Sequence, residues 1–185
     1  MALNPGKLVK SEAETAEHAE LIQALNLIPH VEGGYFAETD RAVDTMPNPY
    51  AEAGSTDTTR NLSTLIYYLL TRYTPAGHFH RNKSRTTHLL HRGRAVYVLI
   101  YPDGRVETFV AGADVAKGEK LQWIVDGGIY KASFLPPGSD ECLISEVVVP
   151  GFDFADHDFM ASRDHLVALA GEEEAAKWDW LLRKD

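Results

Sequence analysis

Between residues 59 and 150 the chain is a succession of short β-rich segments punctuated by turns. This pattern constrains the fold more than any other feature of the sequence. STLIYYLLT, THLLH, AVYVLIY, VETFVA, QWIVD, YKASFL and LISEVVV are dominated by branched and aromatic residues, which suit a pleated, half-buried surface. Pro75-Ala76-Gly77, Arg92-Gly93, Pro102-Asp103-Gly104, Ala116-Lys117-Gly118, Asp126-Gly127-Gly128 and Pro136-Pro137-Gly138 separate them, and these are turn-forming combinations. A spacing of roughly 8–12 residues is that of an all-β sandwich or barrel. No helical pattern intervenes, which argues against βαβ units and a parallel sheet.

The flanks read differently. Residues 11–26 predict a helix, with Ser11 and Glu14 at capping-box spacing and a stripe of Ala16, Leu21, Ile22 and Leu25 ended by Asn26 and Pro29. Gly33-Gly34 permits a bend. Residues 43–58, rich in Pro, Ala, Ser and Thr, predict a loop or flap. At the other end Ser162 predicts a cap for a helix through Ala170, Gly171 breaks it, and 172–183 predicts a second helix whose Trp178, Leu181 and Leu182 pack on the β domain. The expected organisation is an N-terminal helical extension over 1–26, a β domain over 27–160 and C-terminal helices over 161–185.

Apolar residues are 44% of the 185-residue chain, enough for a core and too many for wholesale disorder. The single cysteine, Cys142, excludes an intrachain disulfide and a Cys-based zinc site. The acids Asp140 and Glu141 beside it disfavour a reactive thiolate. No run approaches a membrane span, and the N-terminal residues carry no secretory apolar segment, so a cytoplasmic location is expected. A net charge of −9 argues against nucleic acid or an anionic membrane as partner. Arg81, Lys83, Arg85, Arg92 and Arg94 nevertheless crowd one short stretch without an acid. They form either a solvated or dimer-facing strand, or a local attraction for an anionic small ligand, to which Arg81 and Lys83 would bind.

The densest polar constellation is GHFHRNKSRTTHLLHRG, residues 77–93. On a strand, His78 and His80 share a face, with Phe79 on the other. The same alternation puts Thr86, His88 and Leu90 together, and that face is expected to point inward. A functional metal wants a third protein ligand, for which His88, His91 and Glu146 are candidates. Glu146 interrupts the apolar LISEVVV, and burial would raise its pKa and suit it to acid–base work. Lys131, in GGIYKASFL, is either an exposed edge residue or a cation aimed inward. Tyr68 and Tyr97 are core residues that can line a pocket. No Walker, dinucleotide or Gly-x-Ser-x-Gly motif is present.

Four ordered segments, HVEGGYFAETDR, FHRNKS, YPDG and VVVPGFDFADHDF, resemble the signature segments of cupin family 5, from about Leu27 to Leu166. The resemblance implies an all-β cupin jelly-roll β-barrel with flanking helices, commonly a homodimer. Such barrels are similar in shape to sugar-nucleotide epimerases. Of the general cupin metal motifs, His78, His80 and Gly93 match. Thr86 stands at the glutamate position and Lys131 at the final histidine, so two of four metal ligands are absent.

Three functions follow as expectations. The first is a metal-independent acid–base enzyme of isomerase, epimerase, lyase or cyclase type, acting on a carbonyl-bearing or anionic metabolite. Its catalytic residues would be His78, His80, His88, Lys131 and Glu146, its ligand contacts Thr86, Tyr68, Tyr97, Arg81 and Lys83, and it would need no cofactor. The second is a metal-dependent oxygenase or hydrolase holding Mn, Fe, Ni or Zn on His78 and His80. The third is a non-catalytic metabolite-binding module.

Overall fold

The computed structural model describes Leu8 and residues 10–184. Helix α1 (Ala16–Ala24) precedes β1 (Ile28–Pro29), β2 (Tyr35–Arg41) and a hairpin of β3 (Thr45–Pro47) and β4 (Thr59–Asn61). The β-rich middle supplies β5 (Thr64–Thr71), β6 (Ala76–Asn82), β7 (Arg85–Gly93), β8 (Ala95–Ile100), β9 (Val106–Ala111), β10 (Gln122–Val125), β11 (Tyr130–Phe134) and β12 (Glu141–Val149). Short β13 (His157–Phe159) leads to helices α2 (Arg163–Ala170) and α3 (Glu172–Trp178).

The strands form two antiparallel sheets. One runs β1-β2-β5-β12-β7-β10, the other β13-β6-β11-β8-β9. They face each other as a jelly-roll sandwich and are not closed into a barrel, which corrects the expected closure. Side-chain alternation sorts the residues cleanly. On β5, Tyr68 and Leu70 point between the sheets and Leu69 away; on β12, Cys142 and Ile144 point inward and Leu143 outward. On β8, Tyr97 and Leu99 point inward, while Val96, Val98 and Ile100 pack outward against the helices. Three hydrophobic layers result: one between the sheets, one under α2 and α3, and one under α1.

Local corrections have physical causes. The N-terminal helix starts at Ala16, capped by Thr15, whose hydroxyl accepts from the His18 N–H. Ser11 and Glu14 do not form a capping box, because the Glu14 carboxylate is taken by the Tyr35 and Thr71 hydroxyls. The expected flap at 43–58 begins with a strand, β3, whose partner β4 lies just beyond it. The last helix stops at Trp178 and continues as a tight 3-10 turn over Asp179–Leu181. The reading of the extreme N-terminus falls largely on residues 1–7 and 9, outside the described residues. No helix among the described residues is long and apolar enough to cross a membrane.

Trp178 and Leu181 are buried with Phe79, Phe134 and Met160 beneath the C-terminal segment. Truncating a buried Trp costs about 3–5 kcal/mol. Trp178→Ala is therefore expected to lower the unfolding free energy by about 3 kcal/mol in urea titrations. A loss below about 1 kcal/mol would mean the C-terminal helices do not share the core's stability.

Candidate functional site

The inward alternation that buries the apolar core also carries polar groups into the sandwich. His80 on β6 and Lys131 on β11 are register partners, and His88 on β7 pairs with Glu146 on β12. All four side chains face the interior and all are buried. The Lys131 ammonium donates to Glu146 Oε2 at 2.7 Å and to His88 Nε2 at 2.9 Å. His88 lies flat on Trp123, centroids 5.0 Å apart, and Tyr97 closes its edge at 5.8 Å. Burial pushes the His88 pKa down to about 3, reinforced by Lys131, so the ring is neutral and accepts a hydrogen bond from the lysine at Nε2.

A second cluster centres on Glu32. His157 Nε2 lies 2.8 Å from its Oε1, and His80 Nε2 3.2 Å from its Oε2. His30 Nδ1 sits 3.5 Å from Oε2. The rings of His80 and His157 stack at 5.4 Å. Glu32 is held there by its turn. Gly33 has φ +98, and a Cβ would come within 2.2 Å of the Ala76 carbonyl oxygen, so only glycine lets this backbone approach β6. The Tyr68 hydroxyl fastens the turn by donating to Gly33 O at 2.8 Å, and Glu32 O accepts from the His78 N–H at 2.6 Å.

The electrostatics of this cluster are unbalanced. Burial would raise the Glu32 pKa, but His80, the His157 hydrogen bond and His30 together hold it well below the usual carboxylate range. Burial drives His80 down to about 4. A neutral imidazole has one N–H, yet both His80 nitrogens face oxygens: Nδ1 lies 2.8 Å from the His78 carbonyl and Nε2 3.2 Å from Glu32. One of these contacts sets two lone pairs against each other. With the His80 proton on Nδ1, no proton lies between its Nε2 and Glu32 Oε2.

Glu32 and Glu146 both line a cavity of about 250 Å³, with His30, Asn82, Thr64 and the apolar Phe36, Ile66, Val148, Phe152 and Phe154. Glu38 and Arg41 complete the lining as an ion pair at 2.7 Å. Burial would raise the Glu146 pKa, as expected from the sequence, but Lys131 and His88 reverse the shift and lower it.

His78 does not join this arrangement. The β6–β11 register slips between Lys131↔His80 and Ser133↔Gly77. This bulge breaks the alternation, and His78 lies near the Leu181 backbone and the Arg183 charge. Thr86 faces inward but does not line the cavity. Tyr68 and Tyr97 support the site from behind. His91 is on the outer face, 2.6 Å from the Ser145 hydroxyl. Arg81 and Lys83 lie outside the sandwich. Arg81 pairs with Asp158 at 3.2 Å, and Lys83 with Asp156 at 3.5 Å beside a separate pocket. The rest of the basic stretch is likewise paired: Arg85 with Asp126, Arg92 with Glu17 and Glu141, Arg94 with Glu119. All five cations of the stretch are thus exposed and ion-paired. Burial and Glu141 push the Cys142 thiol up to about 12, consistent with an inert cysteine.

Sequence reasoning about single residues missed Glu32, His30, His157 and Asn82. The available signal was their position inside HVEGGYF, FHRNKS and FADHDF, three of the segments that carry the family resemblance. Glu32, His80 and His157 are also the residues able to share a metal, their ligand atoms lying within 4.8 Å of one another. His80 suits the role, since a bond from Nδ1–H to the His78 carbonyl fixes the ring and turns Nε2 toward Glu32.

Residues 19–160 match the family described as Cupin superfamily (DUF985). The uncharacterized protein YML079W of Saccharomyces cerevisiae is 49% identical over 189 residues, covering 97% of this chain and 94% of that protein. Among solved structures, a hypothetical protein from Leishmania major superposes with a TM-score of 0.77 at 28% identity, covering 93% of this chain and 100% of that one. Protein SO0799 from Shewanella oneidensis does so at 0.73 and 28%, covering 94% and 100%.

Two outcomes are expected from these charges. Removing one partner of a buried ion pair leaves the other uncompensated, at about 3–5 kcal/mol. Lys131→Met should lose that much in urea unfolding, and Lys131→Met/Glu146→Gln should regain most of it; equal losses in both would mean the pair is not the cause. Separately, His80 and His88 have folded pKa values below 6.5, so the unfolded chain takes up protons that the folded chain refuses. Stability should be full above about pH 6.5 and fall as the pH drops toward 4. His88→Gln should flatten that slope in a pH series of unfolding curves, and an unchanged slope would count against a neutral buried His88.

Proposed function

The chain belongs to the cupin superfamily family DUF985, and from that premise we propose that it is a small-molecule enzyme working by metal-independent acid–base chemistry in the Glu32–Glu146 cavity. One observation carries the reading. Two basic atoms, Glu32 Oε2 and His80 Nε2, converge at 3.2 Å with no proton available to both their neighbours. The lowered proton affinities of Glu32 and His80 make the pair a weak base that holds an abstracted proton briefly and returns it readily.

The reaction class is isomerase, epimerase or lyase-like, on a carbonyl-bearing substrate. Glu32 faces the cavity and takes the proton α to the carbonyl, passing it to His80, whose imidazolium then donates to both the His78 carbonyl and Glu32. The C–H electron pair moves into the carbonyl, forming an enolate. His30 is the donor for that oxygen: its Nδ1 accepts from the Glu32 N–H at 3.3 Å, leaving Nε2–H to the cavity. Return of the proton to a different face or carbon completes an isomerisation. Lys131 acts through Glu146 as a positioning residue. Arg81 and Lys83 stand outside this cavity in surface ion pairs, so they do not draw an anionic substrate into it.

A second reading rests on the convergence of ligand atoms in the same cluster. Glu32, His80 and His157 would hold a divalent ion such as Mn, Fe, Ni or Zn. When bound, it would supply Lewis-acid polarisation of a substrate oxygen.

The test is α-hydrogen exchange. Protein stripped of metal should catalyse deuterium incorporation from D₂O into at least one member of a panel of carbonyl metabolites, followed by proton NMR. Glu32→Gln should lower the rate at least about 100-fold, within the range for losing a general base. Elemental analysis of untagged protein runs alongside. Near-stoichiometric metal in wild type, lost in His80→Ala, together with exchange only in the metal-loaded form, would replace the first reading with the second.

A further inference from the structure

Carboxylates dominate the polar lining of the cavity, beside His30, Arg41, Thr64 and Asn82. Glu32, Glu38 and Glu146 contribute three carboxylates, and Arg41 is the only cationic side chain in the lining. Arg41 is committed: it donates to both Glu38 oxygens, to Asn61 Oδ1 and to the Phe152 carbonyl. Lys131 is bound to Glu146 Oε2 from behind. The other oxygen, Glu146 Oε1, accepts nothing from the described residues, although the residue is only 8% exposed. Asn82 Oδ1, also in the lining, is a buried acceptor with no partner. Buried acceptors are normally satisfied. Opposite them stand Phe36, Phe152 and Phe154, with Ile66 and Val148, and aromatic faces attract cations as well as apolar groups.

We propose that the cavity binds an organic monocation, a compact amine with an apolar or aromatic body, its ammonium directed to the oxygens of Glu146, Asn82 and Glu32. The inference rests on the reading of this cavity as the ligand site and adds the charge class of its occupant. An ammonium supplies the donors that Asn82 and Glu146 lack. The ring or chain covers the phenylalanine wall. At about 250 Å³ the space lies just under the ~300–1,000 Å³ of drug-sized sites, so the occupant is a small metabolite. An anion would face the carboxylates of Glu32 and Glu146, with Arg41 already bound to Glu38.

Phenethylamine, 2-phenylethanol and phenylacetate share a body and differ in charge. Isothermal titration of the full-length protein with each is expected to give amine binding at least about tenfold tighter than alcohol, and none for the carboxylate. Glu146→Gln should bring the amine to the alcohol's affinity while leaving the alcohol unchanged. Asn82→Leu, which stands outside the Lys131 network, should weaken the amine several-fold, guarding against a Glu146 variant that misfolds. Ile66→Trp, which fills the cavity, should abolish binding of both. Alcohol or carboxylate binding as tightly as amine, blocked by Ile66→Trp, would overturn the charge class and leave the cavity reading intact. Binding that survives Ile66→Trp, or no binding of any of the three, would overturn both.

Discussion

One carboxylate ties together the segments that enclose this molecule's cavity. Glu32 sits in the turn before β2, receives His80 from β6 and His157 from β13, and is separated from His157 by 125 residues. Its backbone is pinned as well, by the close approach of Gly33 to Ala76 and by the Tyr68 hydroxyl. Remote segments of the chain meet at this point, and they can do so only because the two sheets stack face to face. The sandwich is therefore the condition for the site, and the site in turn fixes how the N-terminal turn and β13 close one end of the sandwich.

The interior mixes two kinds of stabilisation that usually exclude each other. Toward one end it is ordinary apolar core, with Tyr97, Phe109 and Trp123 in mutual contact. Toward the other, Lys131 and Glu146 form a pair whose desolvation is large and whose attraction offsets it only with good geometry. The Lys131 bonds at 2.7 and 2.9 Å supply that geometry. A buried pair of this kind is weak evidence for stability in itself. Its effect here is on orientation: Glu146 is anchored by one oxygen and presents the other to the cavity.

Much of this could be read from sequence because strand alternation has a period of two. Once YKASF, LISEVVV and THLLH are strands, Lys131, Glu146 and His88 must lie on the same faces as Ser133, Ile144 and Thr86, and they do. The same rule misplaced His78, because a bulge adds a residue to β6 against β11 and leaves no mark in GHFHRN itself. Arg81, Lys83, Arg85, Arg92 and Arg94 looked unopposed because their acids come from other segments, such as Glu17, Glu119 and Asp156. The capping box failed for the same reason, since Tyr35 and Thr71 lie far from Glu14 in sequence. Periodicity reports faces; partners across the fold lie beyond it.

The facing of Glu32 Oε2 and His80 Nε2 with no proton between them unites the functional readings. A proton on His80, a divalent ion on Glu32, His80 and His157, and an ammonium reaching Glu32 from the cavity all answer the same electrostatic demand. They are therefore linked: each lowers the affinity of the site for the others. An ammonium-bearing substrate that enters with the dyad unprotonated finds Glu32 fully charged, and this favours its binding. As the α-proton moves onto the dyad, the new imidazolium weakens the hold on that ammonium. In the proposed reaction, binding and proton transfer thus draw on one local charge: the hold on the ammonium weakens while the dyad carries the proton and is restored when the proton returns to carbon.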